Sequence, residues 1–546
     1  MALVAVCCAA CSDGDDDSPG NGDGGTGGTG GTSPGACVIA ADLEGGDIDH
    51  PMTVDASQVV RDVRGATREF GAVAHWWLYP GFVDWYDQEI GFAGSSIRMG
   101  HKAAVVERGF PPQDVLDRLL ESDAEIMISL FGVPADIAYC SGYQGTTCEG
   151  PQHYGPPTDL AAYKSYVQDV VTHYNALGID YFIIWNEPNN TAHMWQRVCS
   201  APDNCWQPTV EELIDVTVWA MEGIVEVDPA NRVGILGTSS FFGTLPNAEG
   251  QDVYILEEVL PALEARGLKP YAHHSHYYNP DPFDRMPGEQ VSQTIASLKS
   301  DSFFDGIGFH VDEFSDGITN MGDHRQAAFT LALLANDIDI GIDRWGYFQI
   351  NSSVHDPQDG RSTFLSLNEN MIDDAGVAKP VFWLSSLLHR APGTNLLADE
   401  HDETGSVRAF AAADSQARNL CWYAVNFDQT GTSARVELSL EQLPQDVTSW
   451  RVTSYRIDAD HGNPYHPTVE GEIAAILQPI VDEVTAQGGE RHQYYDAAWS
   501  ELEQIHQWPT VRPTEEQGSM AGGCDRVTAA VTIPDYGIRV LCLEEQ

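Results

Sequence analysis

From about Phe70 to Arg390 the chain repeats one local pattern, an apolar strand-like run followed by a helical run, and this alternation constrains its fold more than any other feature. The strand-like runs lie near Phe70–His75, Gly94–Met99, Glu125–Phe131, Tyr181–Trp185, Arg232–Gly237, Pro270–His276, Ile307–Val311 and Ile340–Gln349. Between them the pattern turns helical, over about Asp159–Leu177, from the capping box Thr209-Val-Glu-Glu212 to about Val227, and over Lys379–Arg390. Strands joined by helices pair in parallel, and eight such units in roughly 320 residues suit a closed (β/α)₈ TIM barrel.

Beyond about Asn395 the period shortens to alternating apolar and polar residues, over Val407–Ala413, Asn419–Asn426, Ser433–Leu440, Thr448–Ile457, Arg526–Thr532 and Gly537–Leu543. That pattern predicts an antiparallel β-sandwich after the barrel, joined by the segment near Thr53–Val60. A helical, acidic insert interrupts it around 467–510. The expected α/β chain therefore runs as a leader-like stretch over 1–11 and a Gly/Asp-rich tether over 12–36. A segment pairing with the sandwich (37–69), the barrel (70–395) and the sandwich (396–546) follow.

The formal charge is −53, from 81 acidic and 28 basic residues, which excludes a nucleic-acid partner because nothing offsets phosphate repulsion. Small apolar residues before Cys11 resemble the end of a bacterial lipoprotein signal, although a basic start is absent. Membrane attachment is expected only through a lipid on Cys11, and the location is extracytoplasmic, secreted or surface-anchored. Three of the 11 cysteines fall in that leader, leaving an even number. Cys140 with Cys148 and Cys199 with Cys205 can staple single loops, while Cys421 with Cys542 and Cys37 with Cys524 are the preferred remaining pairs. No Cys/His spacing suits a structural zinc, and neither metal nor organic cofactor is expected.

Barrels of this kind carry their reacting groups at the C-terminal strand ends. Tyr181-Phe-Ile-Ile-Trp-Asn-Glu-Pro188 reads as a buried strand stopped by proline, which presents Glu187 at the barrel mouth with Asn186 beside it. Glu313 ends the seventh run, His276 and Tyr278 follow the sixth, and Arg98 ends the second. Two facing carboxylates suit retaining cleavage of a glycosidic bond, with Glu187 as acid/base and Glu313 as nucleophile. Tyr278 and Arg98 are the donors expected to keep Glu313 ionised, and Asn186 suits a sugar 2-hydroxyl. Trp76, Trp185 and Trp345 can stack on sugar faces or pack as core. Asp136, His193 and Asn351 fall on loops, and His273 and His274 read as core residues. Strand alternation turns Asp312 outward, away from Glu313.

Trp185-Asn-Glu-Pro-Asn189, Val311-Asp-Glu-Phe-Ser315 and His276-Tyr-Tyr278 together resemble glycoside hydrolase family 39 and its clan of retaining barrels. The segments Tyr455-Arg-Ile-Asp458 and His461-Gly-Asn-Pro-Tyr465 resemble a stretch of that family's β-xylosidases, so the resemblance spans roughly 52–546. It implies a β-xylosidase-like enzyme acting on a carbohydrate substrate. The other readings are an endo-acting glycanase of the same clan and a catalytically silent sugar-binding lipoprotein. Asp312 departs from the family, which usually has Thr before the nucleophile.

Overall fold

A computed structural model of the chain describes residues 36–39, 48–62, 70–73, 80–91, 96–102, 113–134, 137, 156–189, 209–278, 281–283, 288–315, 323–337, 340–348, 350, 371–373, 375–391, 395–399, 405–489 and 491–546. The chain divides into two compact units. One comprises Met1–Asp62, Ala391–Asp458 and Thr514–Gln546, the other Val63–Arg390 and Ala459–Pro513.

In the second unit eight parallel strands form a closed barrel: β1 (Phe70–Val73), β2 (Ser96–Lys102), β3 (Glu125–Phe131), β4 (Tyr181–Ile184), β5 (Arg232–Thr238), β6 (Ala272–Tyr278), β7 (Gly308–Ser315) and β8 (Arg344–Phe348). Neighbours in sequence are neighbours in the sheet, and β8 pairs with β1. The expected (β/α)₈ architecture is therefore present, with several boundaries displaced, among them that of β6, which continues to Tyr278 and so includes His276 and Tyr278. β2 continues to Lys102, so Arg98 lies in its first half, and β7 continues to Ser315, so Glu313 lies within it.

Every residue of β4 is buried, as a parallel strand covered on both faces requires. Tyr181 and Ile183 meet Met127 inside the barrel, and Phe182 turns outward to Tyr174 of the helix Leu160–Ala176. That helix starts where Asp159 accepts from the Ala161 and Ala162 amides at 2.9 and 3.0 Å. The Thr209/Glu212 capping box opens the helix Val210–Val227 as its sequence predicts. At the N-terminal strand ends Glu125 bridges Arg232 and Arg344, tying β3, β5 and β8 together.

The helices Pro467–Ala486 and Arg491–Ile505 belong to the barrel unit, whereas the sequence places the insert in the C-terminal domain. The reason is apolar packing that sequence order hides. Phe82, on the helix Pro80–Glu89, meets Tyr495 and Trp499 edge-on with ring centroids 4.9 and 5.5 Å apart. Trp85 stacks on His506 at 4.1 Å.

The first unit contains a ten-stranded sheet whose two halves share one apolar core, which includes Trp422, Trp450, Val436 and Leu438. His50–Asp62 links the halves, pairing first in parallel with Ala434–Glu441 and then antiparallel with Asn395–Asp399. Ala36–Ile39 also pairs in parallel, with Arg526–Ile533. The sandwich is thus antiparallel except where N-terminal segments, which no hairpin constrains, are added to it. Cys421 bonds Cys542 directly across two strands, and Cys37 bonds Cys524. The other cysteines, including Cys11, lie outside the described residues.

Several imidazoles are buried in the barrel unit. His273 packs edge-on against Phe241, and burial lowers it to about 3; His506 is lowered to about 3 and His101 to about 4, chiefly by burial as well. Each stays neutral in the fold to a pH well below that at which it protonates when unfolded. Their contribution is therefore complete above about pH 6.5 and is lost as pH falls toward 3–4, at about 1.4 kcal/mol per pH unit per group. His276, which is raised, acts in the opposite sense. The melting temperature of the barrel unit is expected to fall steadily from pH 6.5 to 4.5, and a flat profile in calorimetry would contradict this assignment.

Candidate active site

The end of β4 turns sharply. Trp185 and Glu187 both take left-handed backbone conformations, with φ of 68° and 46°. Side chains other than glycine disfavour that region, so the turn is held by its neighbours. The Trp185 amide donates to the Leu130 carbonyl at 2.8 Å and the Glu187 amide to the Gly237 carbonyl at 2.7 Å. Gly237 itself has φ 45°, which glycine tolerates. The strands on either side thus direct Asn186 and Glu187 into the barrel mouth.

A bulge on β7 sets the opposite wall. Ser275 lies opposite Val311 but His276 lies opposite Glu313, so Asp312 is an extra residue. The same slip appears against β8. Asp312 and Glu313 consequently both point inward, and the outward orientation expected for Asp312 from strand alternation is incorrect. The bulge fits because β8 carries Gly346 there: a Cβ would lie 3.0 Å from the Asp312 carbonyl oxygen and 3.2 Å from its Cα.

Arg98 reaches up from β2 and joins the two walls. Its guanidinium donates to Glu313 and to Asn186, lies 3.1 Å from Asp312 Oδ2 through Nε, and reaches Ser129 Oγ at 3.3 Å. His276 stands between the acids, its Nδ1 2.8 Å from Glu187 Oε1 and 3.2 Å from Glu313 Oε2. Burial opposes a charge on His276, but Glu313, Glu187 and Asp312 outweigh it and hold the imidazole above its ordinary range. Burial would likewise raise Asp312, yet Arg98 and His274 hold it well below the usual carboxylate range. Tyr278 donates its hydroxyl to Glu313 Oε2 at 2.8 Å. Burial of that hydroxyl end and the Glu313 carboxylate raise the phenol far above its usual range. Tyr278 is 36% exposed overall, which marks the solvent side of the pocket.

The structure thus brings together Glu187, Glu313, Asn186, Arg98, His276 and Tyr278 from β2, β4, β6 and β7. Trp185 and Trp345 do not join them as open stacking faces. Trp185 is fully buried, and Trp345 packs against Phe314 and Tyr277 with 3% exposure. Trp76, Asp136, His193 and Asn351 lie outside the described residues. Sequence reasoning turned Asp312 outward and missed Ser129 as a site group. Polar side-chain atoms of Glu187, His276 and Glu313 lie within 4.8 Å of one another.

A closed barrel with a carboxylate pair at its mouth and an appended β-sandwich describes a recognised class of chain. No protein-family model and no curated protein sequence matches this one. Solved structures do. A monomeric β-xylosidase from Caulobacter crescentus CB15 shares 14% identity over 91% of this chain and 99% of its own, with a TM-score of 0.62. A glycoside hydrolase family 39 enzyme from Xanthomonas axonopodis pv. citri shares 15% over 91% and 97%, TM-score 0.61. A glucosidase from Croceicoccus marinus shares 13% over 92% and 100%, TM-score 0.60. At these identities the likeness is one of fold, and it extends over barrel and sandwich alike. The resemblance to family 39 read from the strand motifs is thereby matched by a likeness in architecture.

Gly346 tests the bulge directly. Gly346→Ala is expected to destabilise the barrel unit by about 1–3 kcal/mol, because the new methyl meets backbone that cannot rotate away. A denaturant midpoint equal to wild type would show that the bulge has room to yield.

Proposed function

We propose that the chain is a retaining glycoside hydrolase, β-xylosidase-like, acting outside the cytoplasm on an oligosaccharide or polysaccharide. The observation that carries this reading is the carboxylate separation: oxygens of Glu187 and Glu313 lie within 4.8 Å of each other. Retaining enzymes hold their carboxyl groups about 5–5.5 Å apart, and inverting enzymes about 6.5–9.5 Å, to admit a water between them. The names of the similar structures, a β-xylosidase and a glucosidase among them, support the substrate class. Two disulfides support an extracytoplasmic location. Among the described residues no helix is long and apolar enough to cross a membrane, and attachment through a lipid on Cys11 is part of the proposal.

In the proposed reaction Glu187 gives its proton to the glycosidic oxygen while Glu313 attacks the anomeric carbon. The bond to the leaving group breaks and a glycosyl ester forms on Glu313. Water then attacks the same carbon, Glu187 takes its proton, and Glu313 leaves as a carboxylate. Arg98 and Tyr278 donate to Glu313 and orient it. Asn186, fixed by Arg98, is the candidate partner of the sugar 2-hydroxyl.

The two carboxylates have different signatures. Glu187→Gln is expected to lower kcat/KM on alkyl or saccharide leaving groups by about 10²- to 10⁴-fold, and far less on dinitrophenyl glycosides that leave without a proton. Glu313→Gln is expected to abolish both. NMR of the first product anomer should show retained configuration; initial release of the inverted anomer would exclude the glycosyl-enzyme step. If wild type binds sugars yet is as inert as Glu313→Gln across a panel of aryl glycosides, the silent binding-protein reading replaces this one.

A further inference from the structure

Asp312 is not required by the carboxylate pair, yet it lies inside the barrel against Arg98, His276 and His274. On its mouth side Arg98 Nε lies 3.1 Å from Oδ2 and His276 Nε2 3.6 Å from Oδ1. Behind it His274 Nδ1 lies 3.1 Å from Oδ2. His274 Nε2 then meets the Tyr181 hydroxyl at 2.8 Å, and that hydroxyl meets His310 Nδ1 at 3.1 Å.

Only one proton arrangement satisfies these contacts with both imidazoles neutral. His310 donates from Nδ1 to the Tyr181 oxygen, the Tyr181 hydroxyl donates to His274 Nε2, and His274 keeps its proton on Nδ1, in electrostatic contact with Asp312 Oδ2 at 3.1 Å. Both hydrogen bonds of the chain run toward the carboxylate side, and such chains strengthen by mutual polarisation. Burial and the neighbouring cations, Arg344 among them, keep His274 and His310 below their ordinary range, in agreement with neutral rings. The backbone makes room for both rings. A Cβ on Gly234 would lie 2.5 Å from His274 Nε2, and one on Gly308 would lie 2.9 Å from His310 Nε2.

We propose that Asp312 is a positioning residue, which locks the Arg98 guanidinium across Glu313 and Asn186 and is itself locked from behind by the chain His274–Tyr181–His310. It touches no substrate atom in this role. It also adds a fixed negative charge to a site whose other charged and titratable groups, among the described residues, are Arg98 on β2, Glu187 on the β4 side, His274, His276 and Tyr278 on β6, and Glu313 beside it. Neutralising it frees Arg98 for Glu313 and removes repulsion from both reacting acids. The kinetic part of this inference rests on the glycosidase reading; the electrostatic part does not.

Asp312→Asn keeps the shape and removes the charge. Its kcat is expected to fall about 10- to 100-fold with KM within about threefold, since the loss is one of alignment. Both limbs of the kcat/KM profile are expected to move to lower pH by about one unit, as removal of a nearby like charge dictates. Tyr181→Phe, which keeps the ring and its packing, should lower kcat by about three- to tenfold through the freed His274 tautomer. In parallel, ¹⁵N-histidine NMR follows the His276 titration, which is expected to move to lower pH in Asp312→Asn whether or not the protein turns over. An unmoved His276 titration, or a lowered kcat with an unmoved pH profile, overturns the positioning role, and so does wild-type kcat in Tyr181→Phe. Absence of wild-type turnover with a shifted His276 titration would sink the glycosidase reading and leave the assignment of Asp312 standing.

Discussion

The barrel mouth depends on one buried guanidinium. Arg98 starts in the first half of β2 and spends its length inside the barrel, so its head arrives desolvated among Asp312, Glu313, Asn186 and Ser129. Burying a cation beside two adjacent carboxylates is a poor route to stability, because desolvation consumes most of the attraction. It is a good route to geometry, since a planar fork with fixed donor directions constrains each acceptor it meets. Removing either acid would leave the guanidinium undercompensated in a medium that penalises it. The arrangement holds only as a whole.

That whole rests on backbone irregularities rather than on regular strands. An unbroken β7 would turn either Asp312 or Glu313 away from the barrel; the bulge turns both inward, and Gly346 on β8 leaves space for it. His276 follows from the same slip, because it is set opposite Glu313 and can reach Glu187 at the same time. The inward placement of Asp312 beside Glu313, and the reach of His276 to both walls, are therefore consequences of one inserted residue. A carboxylate at Asp312 would be hard to keep in such a place without donors behind it. His274 lies behind it at 3.1 Å, held by its bond to the Tyr181 hydroxyl, which also meets His310.

Much of the architecture was legible in the sequence because it is periodic. Eight strand-like runs, the Thr209/Glu212 capping box and the alternating runs after Val407 all follow from apolar spacing and local hydrogen bonding, which act over a few residues. Strand-end placement also groups Glu187, Glu313, His276, Tyr278 and Arg98 from the sequence alone, since a parallel barrel delivers all its strand ends to one face. What escaped was non-local. Alternation put Asp312 outside because a bulge is a negotiation between three strands, and Gly346 is 34 residues further along the sequence, on β8, where the alternation rule for β7 cannot see it. The insert was assigned to the wrong unit for the same reason: Tyr495 and Trp499 look like an ordinary amphipathic stripe until Phe82 is found opposite them. Trp185 was a fair candidate for stacking by composition, and only its burial removes it.

The two facing carboxylates are placed by different backbone features, although His276 touches both. Glu187 is directed by main chain: a strained turn whose left-handed residues each cost about 1–3 kcal/mol, and which persists because β3 and β5 pin its amides from either side. Glu313 is directed by the bulge beneath it and by Arg98 and Tyr278 at its oxygens. Side-chain rotation at either site is a small freedom compared with the position of the strand that carries it. The gap between the acids is therefore a property of the closed barrel. Its dimension belongs to the backbone, and the chemistry available at the mouth follows from where β4 turns and where β7 bulges.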